Sequence, residues 1–316
     1  MINISGQTKI VGVIGEPVTH SRSPQMHNAA IAKLGLNFAY LPFEVKLPDL
    51  AMAIQGLKAL QVVGVNVTIP HKQNVMPLLD HISTEAHLIG AVNTLVFDQD
   101  QIFGHNTDAE GFIRAMQEEA SLFDLLTGDV RAVVLGAGGA ARAVVTALAL
   151  NNVTEITIAN RTVSKAVTLV ENLEPNLLQT DLQLSTRLTS VEIQSSQLAD
   201  LIATCDLLVN TTSVGMDNTA QVDLFNSDCL SARTIVYDIV YTPPVTPLLR
   251  VAKARGCPII GGLGMLVHQG AIAFEKWTGI EPNIEVMREA LIKSLGLSAK
   301  RGKKSEEKYG SSRFTR

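Results

Sequence analysis

Polar side chains able to hold a small hydroxylated ligand are spread over the first third of the chain. Asn66, Thr68 and Lys72 lie within NVTIPHK, Asn93 lies within AVNTL, and Asp108 closes the run NTD. On a strand, Asn66 and Thr68 would share one face, with Lys72 just beyond the proline. Together these residues supply hydrogen-bond donors and acceptors, one amine and one carboxylate. Each alone could be a turn residue or a helix cap, but as a set they indicate a site for a small polyhydroxylated acid.

Two serines near the first predicted strand form a second candidate site. Ser21 and Ser23 flank Arg22, and Pro24 follows directly. A serine before a proline predicts that Ser23 is a helix N-cap with Pro24 at the first helical position. Two hydroxyls beside a helix N-terminus could equally hold a carboxylate. The sequence leaves both interpretations open.

A glycine-rich loop indicates a dinucleotide site. The apolar run 131–135 leads directly into GAGGAA, which opens a helix rich in Ala, Val and Leu. In this context Gly136 permits a tight turn, Gly138 lets the backbone approach a pyrophosphate, and Ala141 allows close packing of helix on strand. The alternative is that these glycines serve only the turn.

The end of the next predicted strand bears on the choice of nucleotide. The strand 155–159 is followed by Asn160-Arg161-Thr162, with Lys165 one helical turn later. An NAD site would place a carboxylate here for the ribose 2′-hydroxyl, whereas a guanidinium suits a 2′-phosphate. The segment therefore predicts NADP. Solvated basic residues at a helix start are the alternative.

The elements that must position these residues alternate between strands and helices, which is typical of a parallel α/β fold. Strands are predicted at 9–14, 39–45, 62–68, 131–135, 155–159, 207–210 and 234–239, and a hairpin at 92–97 and 101–104. Helices are predicted at 24–35, 48–59, 72–81 and 268–296, the last broken by Gly279 and Pro282. We place domain boundaries near residues 106 and 263.

Composition excludes several classes of protein. The 316 residues are 46% hydrophobic and 18% charged, which is enough apolar material for two domain cores and argues against extended disorder. The formal net charge is −4, although residues 298–316 carry seven lysines and arginines against two glutamates. The acidic remainder argues against nucleic acid as a partner, and the basic tail is interpreted as a solvated, disordered end.

Cysteine and histidine usage bears on location and metals. The three cysteines form no CxxC pair, the N-terminus carries no signal-peptide pattern, and residues 256–274, although uncharged, contain Pro258 and five glycines. We therefore expect a cytoplasmic protein without a membrane span. The scattered histidines indicate no metal site.

Roughly residues 9–297 contain a series of motifs in a characteristic order. These motifs are SRSP, NVTIPHK, GAVNT, GHNTDAEGF, GAGGAAR, NRTVSK, NTTSVGM, DIVYTP and GGLGMLVHQG. In this order they resemble the shikimate dehydrogenase family. The resemblance implies reversible, NADP-dependent reduction of 3-dehydroshikimate to shikimate on the route to chorismate and the aromatic amino acids.

The resemblance also implies two α/β domains with the active site in the cleft between them. The N-terminal substrate-binding catalytic domain would span 1–106 and be completed by helices in 263–297. A Rossmann-type NADP-binding domain would span 107–262, followed by the tail 298–316. Monomer and homodimer both remain open.

Site residues follow from the resemblance position by position. Lys72 and Asp108 would be the catalytic pair, and Ser21 and Ser23 would hold the substrate carboxylate. The other substrate positions, which bind ring hydroxyls or line the pocket, would be Asn66, Thr68, Asn93, Tyr241 and Gln269, together with Lys72 and Asp108 themselves. The NADP positions would be Gly136, Ala137, Gly138, Gly139, Ala140, Asn160, Arg161, Thr162, Lys165, Thr211, Ser213, Ile239, Gly262 and Met265.

Three alternatives accompany this interpretation. His71, beside Lys72, is a second candidate base. A quinate/shikimate dehydrogenase with relaxed cofactor use would share the fold, although the paired serines and the NRT triplet argue against it. A catalytically silent NADPH-binding sensor is disfavoured because both Lys72 and Asp108 are present.

Overall fold

The structure is a computed structural model that describes residues 4–119, 128–178, 186–216 and 224–297. The basic tail 298–316, for which a solvated, disordered end was predicted, lies outside the described residues. Within the described ranges, no helix combines the length and the apolarity needed to cross a bilayer.

The first sheet is built from the N-terminal third of the chain. Its strands are β1 (Lys9–Gly15), β2 (Phe38–Glu44), β3 (Gly64–Val67), β4 (His81–Ile82), β5 (Thr94–Asp98) and β6 (Gln101–His105), in the order β2-β1-β3-β5-β6-β4. The strand β1 is parallel to β2 and β3, whereas β5 is antiparallel to β3 and β6. The expected hairpin is therefore present, and its turn places Gln99 and Asp100 at positive φ. The carboxyl ends of β1 and β3 meet at one edge.

The second sheet is parallel throughout. Its strands are β7 (Arg131–Leu135), β8 (Glu155–Asn160), β9 (Arg187–Glu192), β10 (Leu207–Asn210), β11 (Ile235–Asp238) and β12 (Ile259–Gly261). They pair in the order β12-β11-β10-β7-β8-β9. This is the doubly wound order of a Rossmann sheet, in which ligands bind outside the carboxyl ends of the strands where the strand order reverses. The predicted fold class is confirmed.

Helices cover both sheets. They are α1 (Ser23–Leu34), α2 (Leu50–Ala59), α3 (Thr84–Ile89), α4 (Asp108–Glu118), α5 (Gly139–Leu150), α6 (Val163–Leu178), α7 (Ser196–Thr204), α8 (Pro247–Ala254), α9 (Leu263–Thr278) and α10 (Ile284–Ser294). Short 3-10 turns occur at Leu47–Asp49, Met76–Leu78 and Ser227–Cys229.

Two helices belong to both halves of the molecule. In α9, Met265 packs in the core of the second sheet, whereas Phe274 and Trp277 pack with α1 and α10 on the first. In α4, the Phe112 ring stacks on Tyr237 of β11 with centroids 4.7 Å apart. The same helix begins at Asp108, directly after the first sheet ends. Because α4 and α9 pack on each other, they fix how the two sheets face.

The helix predicted over 72–81 does not form, and that prediction is wrong. The backbone N–H of Val92 donates to the Lys72 carbonyl at 2.8 Å, which ties this segment to the approach to β5. Pro77 lacks an N–H and disfavours a helix through the residues before it. Only the 3-10 turn Met76–Leu78 remains.

Three of the four edge strands, β4, β9 and β12, were not predicted. The strands β4 and β12 are two and three residues long, and β9 reads RLTSVE, so none of them carries a strong apolar alternation. Helix α9 begins at Leu263, five residues before the predicted start. The glycines at the start of this helix look like a turn in the sequence, but in the structure they pack closely against neighbouring elements. The predicted interruption at Gly279 is confirmed, since Gly279 caps α9 with φ +69°.

Candidate functional site

Lys72 and Asp108 form an ion pair between the two sheets. Lys72 follows the turn after β3, and Asp108 is the first residue of α4. The Lys72 Nζ donates to Asp108 Oδ2 at 2.5 Å, and the two side chains are only 16% and 7% exposed. The amide of Asn93 donates to the other carboxylate oxygen at 2.8 Å. Both oxygens of Asp108 are therefore held, and the ammonium is aimed by the carboxylate.

Asn93 is itself held in one orientation. Its Nδ2 also donates to Thr107 Oγ1 at 3.0 Å, and its Oδ1 accepts from the Thr107 N–H at 2.8 Å and from Thr94 Oγ1 at 3.0 Å. Sequence analysis missed Thr94 and Thr107, although both lie inside quoted motifs. Their hydroxyls make the Asn93 amide a rigid support for Asp108.

The start of α4 is capped from outside the helix. Asn106 Oδ1 accepts from the Asp108 N–H at 3.0 Å, and Asn106 Nδ2 donates to the Ala91 carbonyl at 2.9 Å. This Asx turn satisfies an N–H that would otherwise lack a helical partner. It also fixes where the Asp108 side chain starts.

Asn66 lies at the end of β3, within reach of this network. Its Nδ2 donates to the Asn93 carbonyl at 3.3 Å and to Thr94 Oγ1 at 3.2 Å. Its Oδ1 accepts from the Tyr40 hydroxyl at 2.8 Å. Thr68 follows two residues later, just beyond the end of β3, and its methyl group occupies the space that a Cβ on Gly15 would need.

The serine pair lies at the start of α1, but Ser23 is not the N-cap, so that prediction is wrong. Arg22 is the N-cap, Ser23 is the first helical residue and Pro24 the second. The Ser21 hydroxyl accepts from the Ser23 N–H at 3.3 Å, which closes the turn one residue earlier than expected. Among the described residues, neither serine side chain caps an N–H group in the first turn of α1 beyond Ser23.

The glycine-rich loop has the shape of a phosphate cradle. Gly136 adopts φ +110°, and a Cβ there would lie 2.6 Å from Thr211 Oγ1, so only glycine fits. A Cβ on Gly138 would meet no described atom within 4 Å, which leaves open space in front of α5. The first N–H groups of α5 point into that space, where an anion is favoured by the helix dipole. The residues present fit a pyrophosphate.

The loop also touches the ion pair. A Cβ on Gly139 would lie 3.1 Å from Cδ of Lys72, so the lysine methylenes pack against the loop backbone. Ala137 and Ala140 occupy the same loop. The structure thus brings the predicted dinucleotide site and the predicted catalytic pair into contact, although they are far apart in sequence.

The predicted 2′-phosphate segment follows β8. Asn160 closes the turn by donating from Nδ2 to the Thr162 carbonyl at 2.9 Å. Arg161, Thr162 and Lys165 are exposed at this carboxyl end. Since β8 neighbours β7, which carries the glycine loop, the basic side chains lie at the same edge of the sheet.

Loops after β10 and β11 carry the remaining cofactor positions. Thr211 Oγ1 donates to the Leu135 carbonyl at 2.7 Å, and Ser213 follows it. Ile239 and Tyr241 follow β11. A Cβ on Gly262 would overlap the carbonyl of Ile239, so the start of α9, with Met265, packs directly on this loop.

Asp238 is a buried carboxylate that sequence analysis missed. It accepts from Asn210 Nδ2 at 2.9 Å, from the Val240 N–H at 3.0 Å and from Thr246 Oγ1 at 2.6 Å. Burial raises the pKa of Asp238 to about 6, opposed by these hydrogen bonds. One side chain therefore joins the loops after β10 and β11. The motif DIVYTP was the available signal.

Gln269 and His71 occupy contrasting positions. Gln269 lies where α9 crosses α4, because a Cβ on Gly111 would be 2.7 Å from its backbone nitrogen. The His71 ring is fully buried, with Nε2 hydrogen-bonded to the Val45 carbonyl at 2.7 Å. A ring held there is a structural element, and its placement does not support the alternative that His71 is the base.

Comparisons with known proteins agree with this arrangement. Family models match in three segments: the shikimate dehydrogenase substrate binding domain at residues 13–95, shikimate/quinate 5-dehydrogenase at 119–224, and the shikimate 5′-dehydrogenase C-terminal domain at 262–292. A shikimate dehydrogenase (NADP(+)) from Methanopyrus kandleri is 45% identical over 93% of this chain and 98% of its own.

Solved structures share the fold over the same length. A shikimate dehydrogenase in complex with NADP+ matches with a TM-score of 0.82 and 41% identity, covering 93% of this chain and 98% of that one. Quinate dehydrogenase from Corynebacterium glutamicum in complex with NAD matches with a TM-score of 0.81 and 33% identity, covering 90% and 99%. Similarity of this extent, over nearly the whole chain, shows that the chain belongs to the shikimate dehydrogenase family.

Proposed function

We propose that this chain catalyses the reversible, NADP-dependent reduction of 3-dehydroshikimate to shikimate. One observation carries the proposal: Lys72, paired with Asp108 at 2.5 Å, lies with its methylenes against Gly139 of the dinucleotide loop. A proton donor is therefore next to the place where a nicotinamide nucleotide would bind. Family membership supports the choice of substrate.

The substrate side of the cleft is polar in the way a hydroxylated acid requires. We assign the substrate carboxylate to Ser21 and Ser23 at the start of α1. The ring hydroxyls are assigned to Asn66, Thr68, Asn93, Asp108 and Gln269, and Tyr241 is assigned to the lining of the pocket. This assignment is supported by the hydrogen bonds that join Asn66 to Asn93 and Asn93 to Asp108.

The NADP side is assigned to the second sheet. Backbone N–H groups of Gly136, Ala137, Gly138, Gly139 and Ala140 would hold the pyrophosphate. Asn160, Arg161, Thr162 and Lys165 would hold the adenosine end with its 2′-phosphate, since a guanidinium makes strong charge-assisted bonds to phosphate. The nicotinamide end is assigned to Thr211, Ser213, Ile239, Gly262 and Met265.

The bound nicotinamide supplies hydride in reduction and accepts it in oxidation. In reduction, the Lys72 ammonium stabilises the negative charge that develops on the ketone oxygen and donates a proton to it. In oxidation, the same nitrogen receives the hydroxyl proton. Asp108 keeps that nitrogen in place throughout, and Asn93 keeps Asp108 in place.

The cellular setting follows from the same proposal. All three cysteines are free thiols, which fits a reducing compartment, and we infer a cytoplasmic enzyme on the route to chorismate. Its partners would be small molecules. Sedimentation of the purified chain distinguishes the monomer from the homodimer.

The test is the rate of NADPH formation from shikimate and NADP+, with quinate and NAD+ in parallel assays. We expect turnover mainly with shikimate and NADP+. Comparable rates with quinate or NAD+ would indicate the dual-specificity alternative, and bound NADPH without turnover would indicate the sensor.

Cofactor choice is tested separately with Arg161→Ala. Removing the guanidinium should raise KM for NADP+ by about tenfold, the equivalent of one charge-assisted hydrogen bond, and leave KM for NAD+ unchanged. Arg187→Ala is the matched control, because Arg187 is an exposed arginine at the opposite, amino end of the same sheet. An equal effect on NADP+ and NAD+ would contradict the assignment.

A further inference from the structure

Tyr40 is a buried phenol on β2 that reaches the substrate side of the cleft. Its ring is 1% exposed, and its hydroxyl donates to Asn66 Oδ1 at 2.8 Å. The strand β1 lies between β2 and β3, so the side chain reaches across a strand to make this bond. The backbone of Tyr40 is anchored at both ends by Asn28, whose side chain accepts from the Tyr40 N–H and donates to its carbonyl.

The ring of Tyr40 has a fixed orientation. His27 stacks on it face to face, with centroids 4.3 Å apart and planes 4° apart. Trp277 packs beside this stacked pair in a tilted arrangement, with its centroid 5.6 Å from His27 and 6.0 Å from Tyr40. Burial lowers the pKa of His27 to about 3, so the stacked ring is neutral at working pH. The phenol hydroxyl therefore points at Asn66 through packing rather than through the hydrogen bond alone.

The Asn66 amide has only one orientation that satisfies its neighbours. Its Nδ2 faces the Asn93 carbonyl, which can only accept a hydrogen bond. A flipped amide would bring two oxygens together there. Oδ1 must then face Tyr40, and because Oδ1 cannot donate, the phenol must be the donor. Tyr40 thus uses its proton on Asn66.

This arrangement decides what Asn66 can offer a ligand. Both N–H groups of Nδ2 are used, by the Asn93 carbonyl and by Thr94 Oγ1, and Tyr40 occupies one lone pair of Oδ1. The group left on Asn66 is the second lone pair of Oδ1. Asn66 therefore meets a ligand as an acceptor, and the ligand group it fits is a hydroxyl.

We propose that Tyr40 is a positioning residue for the substrate: its phenol holds Asn66 Oδ1 as the acceptor of a substrate hydroxyl. The inference rests on the proposed function in that the substrate is taken to be a hydroxylated acid. Tyr40 acts through Asn66 and exchanges no proton with the reacting oxygen.

The test is Tyr40→Phe, which keeps the ring and its stacking and removes only the hydroxyl. We expect KM for shikimate at saturating NADP+ to rise about tenfold, or about 1.4 kcal/mol of binding free energy. A contact made equally in the bound substrate and the transition state affects KM and leaves kcat nearly unchanged. KM for NADP+ should stay within about twofold of the wild-type value, because Tyr40 lies on the first sheet.

Tyr237→Phe is the matched control. Tyr237 is also a fully buried tyrosine stacked on a ring, but its hydroxyl has no hydrogen-bond partner among the described residues. The same chemical change there should leave KM for shikimate and kcat unchanged. If Tyr40→Phe behaves like Tyr237→Phe in an active enzyme, the positioning role is overturned.

A double variant separates positioning from general damage. In the Asn66→Ala background, Tyr40→Phe should have no additional effect on KM for shikimate, because its target is already gone. Additive effects, or an equal rise in KM for both substrates with a lowered melting temperature, would make Tyr40 a structural residue and overturn the inference. An inactive wild type overturns the proposed function instead, so the two failures are distinguishable.

Discussion

At the scale of single residues, the chemistry depends on side chains held by other side chains. The Lys72 ammonium is aimed by Asp108, Asp108 by Asn93, and Asn93 by Thr94 and Thr107. Both oxygens of Asp108 and both polar atoms of the Asn93 amide have partners within this chain of residues. Such a chain rigidifies a site because every alternative rotamer would leave a buried polar atom without a partner.

Lys72→Met tests the proton-transfer role directly. Methionine keeps the Cβ and Cγ of the lysine, places sulfur at the Cδ position that packs against Gly139, and lacks the amine. We expect kcat to fall by about 10²- to 10⁴-fold, the usual contribution of a positioned acid or base, with the dissociation constant of NADPH unchanged. Stopped-flow rates and fluorescence titration of NADPH provide the two measurements.

Lys33→Met is the control for that variant, since Lys33 is an exposed lysine in the last turn of α1. It should behave as wild type in both measurements. Weakened NADPH binding with a normal rate at saturation would show that Lys72 serves the cofactor rather than the proton.

At the scale of elements, helix starts decide where the site residues point. The first residue of α4 is Asp108, and the first residue of α5, Gly139, packs against Lys72. Gly262, the N-cap of α9, lies against the carbonyl of Ile239, so this helix packs directly on the loop after β11, to which we assign part of the nicotinamide site. Helix starts thus join the sheets at the cleft.

A pair of Gly→Ala variants tests this packing. Gly262→Ala would place a methyl group where the Ile239 backbone lies, so we expect a lower melting temperature and a higher KM for NADP+. Gly56→Ala makes the same change in the middle of α2, where no described atom lies within 4 Å of the added Cβ. There the better helix propensity of alanine should stabilise the protein by about 0.5–1 kcal/mol.

Thermal melts of the two variants beside wild type provide the comparison. Shifts of opposite sign are expected. A Gly262→Ala protein with unchanged stability and unchanged KM for NADP+ would show that the loop after β11 moves aside freely.

At the scale of the whole molecule, buried ionisable groups make folding stability depend on pH. Burial lowers the pKa of His27 from 6.5 to about 3. Between these two values the His27 side chain is protonated in the unfolded chain and neutral in the folded chain. Its effect on the free energy of unfolding is therefore absent above pH 6.5, and the protein becomes less stable as the pH drops toward 3. Asp238 acts in the opposite sense between 3.8 and about 6, because burial raises the pKa of its carboxyl.

His27→Phe isolates the histidine contribution. In wild type, protonation of His27 in the unfolded chain should lower the free energy of unfolding by about 1.4 kcal/mol per pH unit below 6.5. In the variant this contribution should vanish. Urea unfolding at several pH values between 4.5 and 7.5 measures both curves. Because Asp238 is present in both proteins, their difference reports His27, and parallel curves would contradict its buried, neutral state.

Local patterns predicted much of the fold and of the candidate site. The glycine loop, the Asn160-Arg161-Thr162 turn and most buried strands were found in sequence because a strand–turn–helix unit requires particular residues within a few positions. Lys72 and Asp108 were identified through motif order. Which residue binds which part of the ligands stays a prediction.

Tertiary structure decided what depends on distant partners. The segment 72–81 looks helical, but a hydrogen bond from Val92 draws its first residue to the sheet. Tyr40, Thr107 and Asp238 read as ordinary strand or turn residues, and their roles exist only through the side chains they meet across the fold. The backbone conformation of a short segment depends mainly on its own residue types, so a local pattern predicts it. A hydrogen bond between residues remote in the chain produces no periodic pattern in the sequence, so only the tertiary structure shows it.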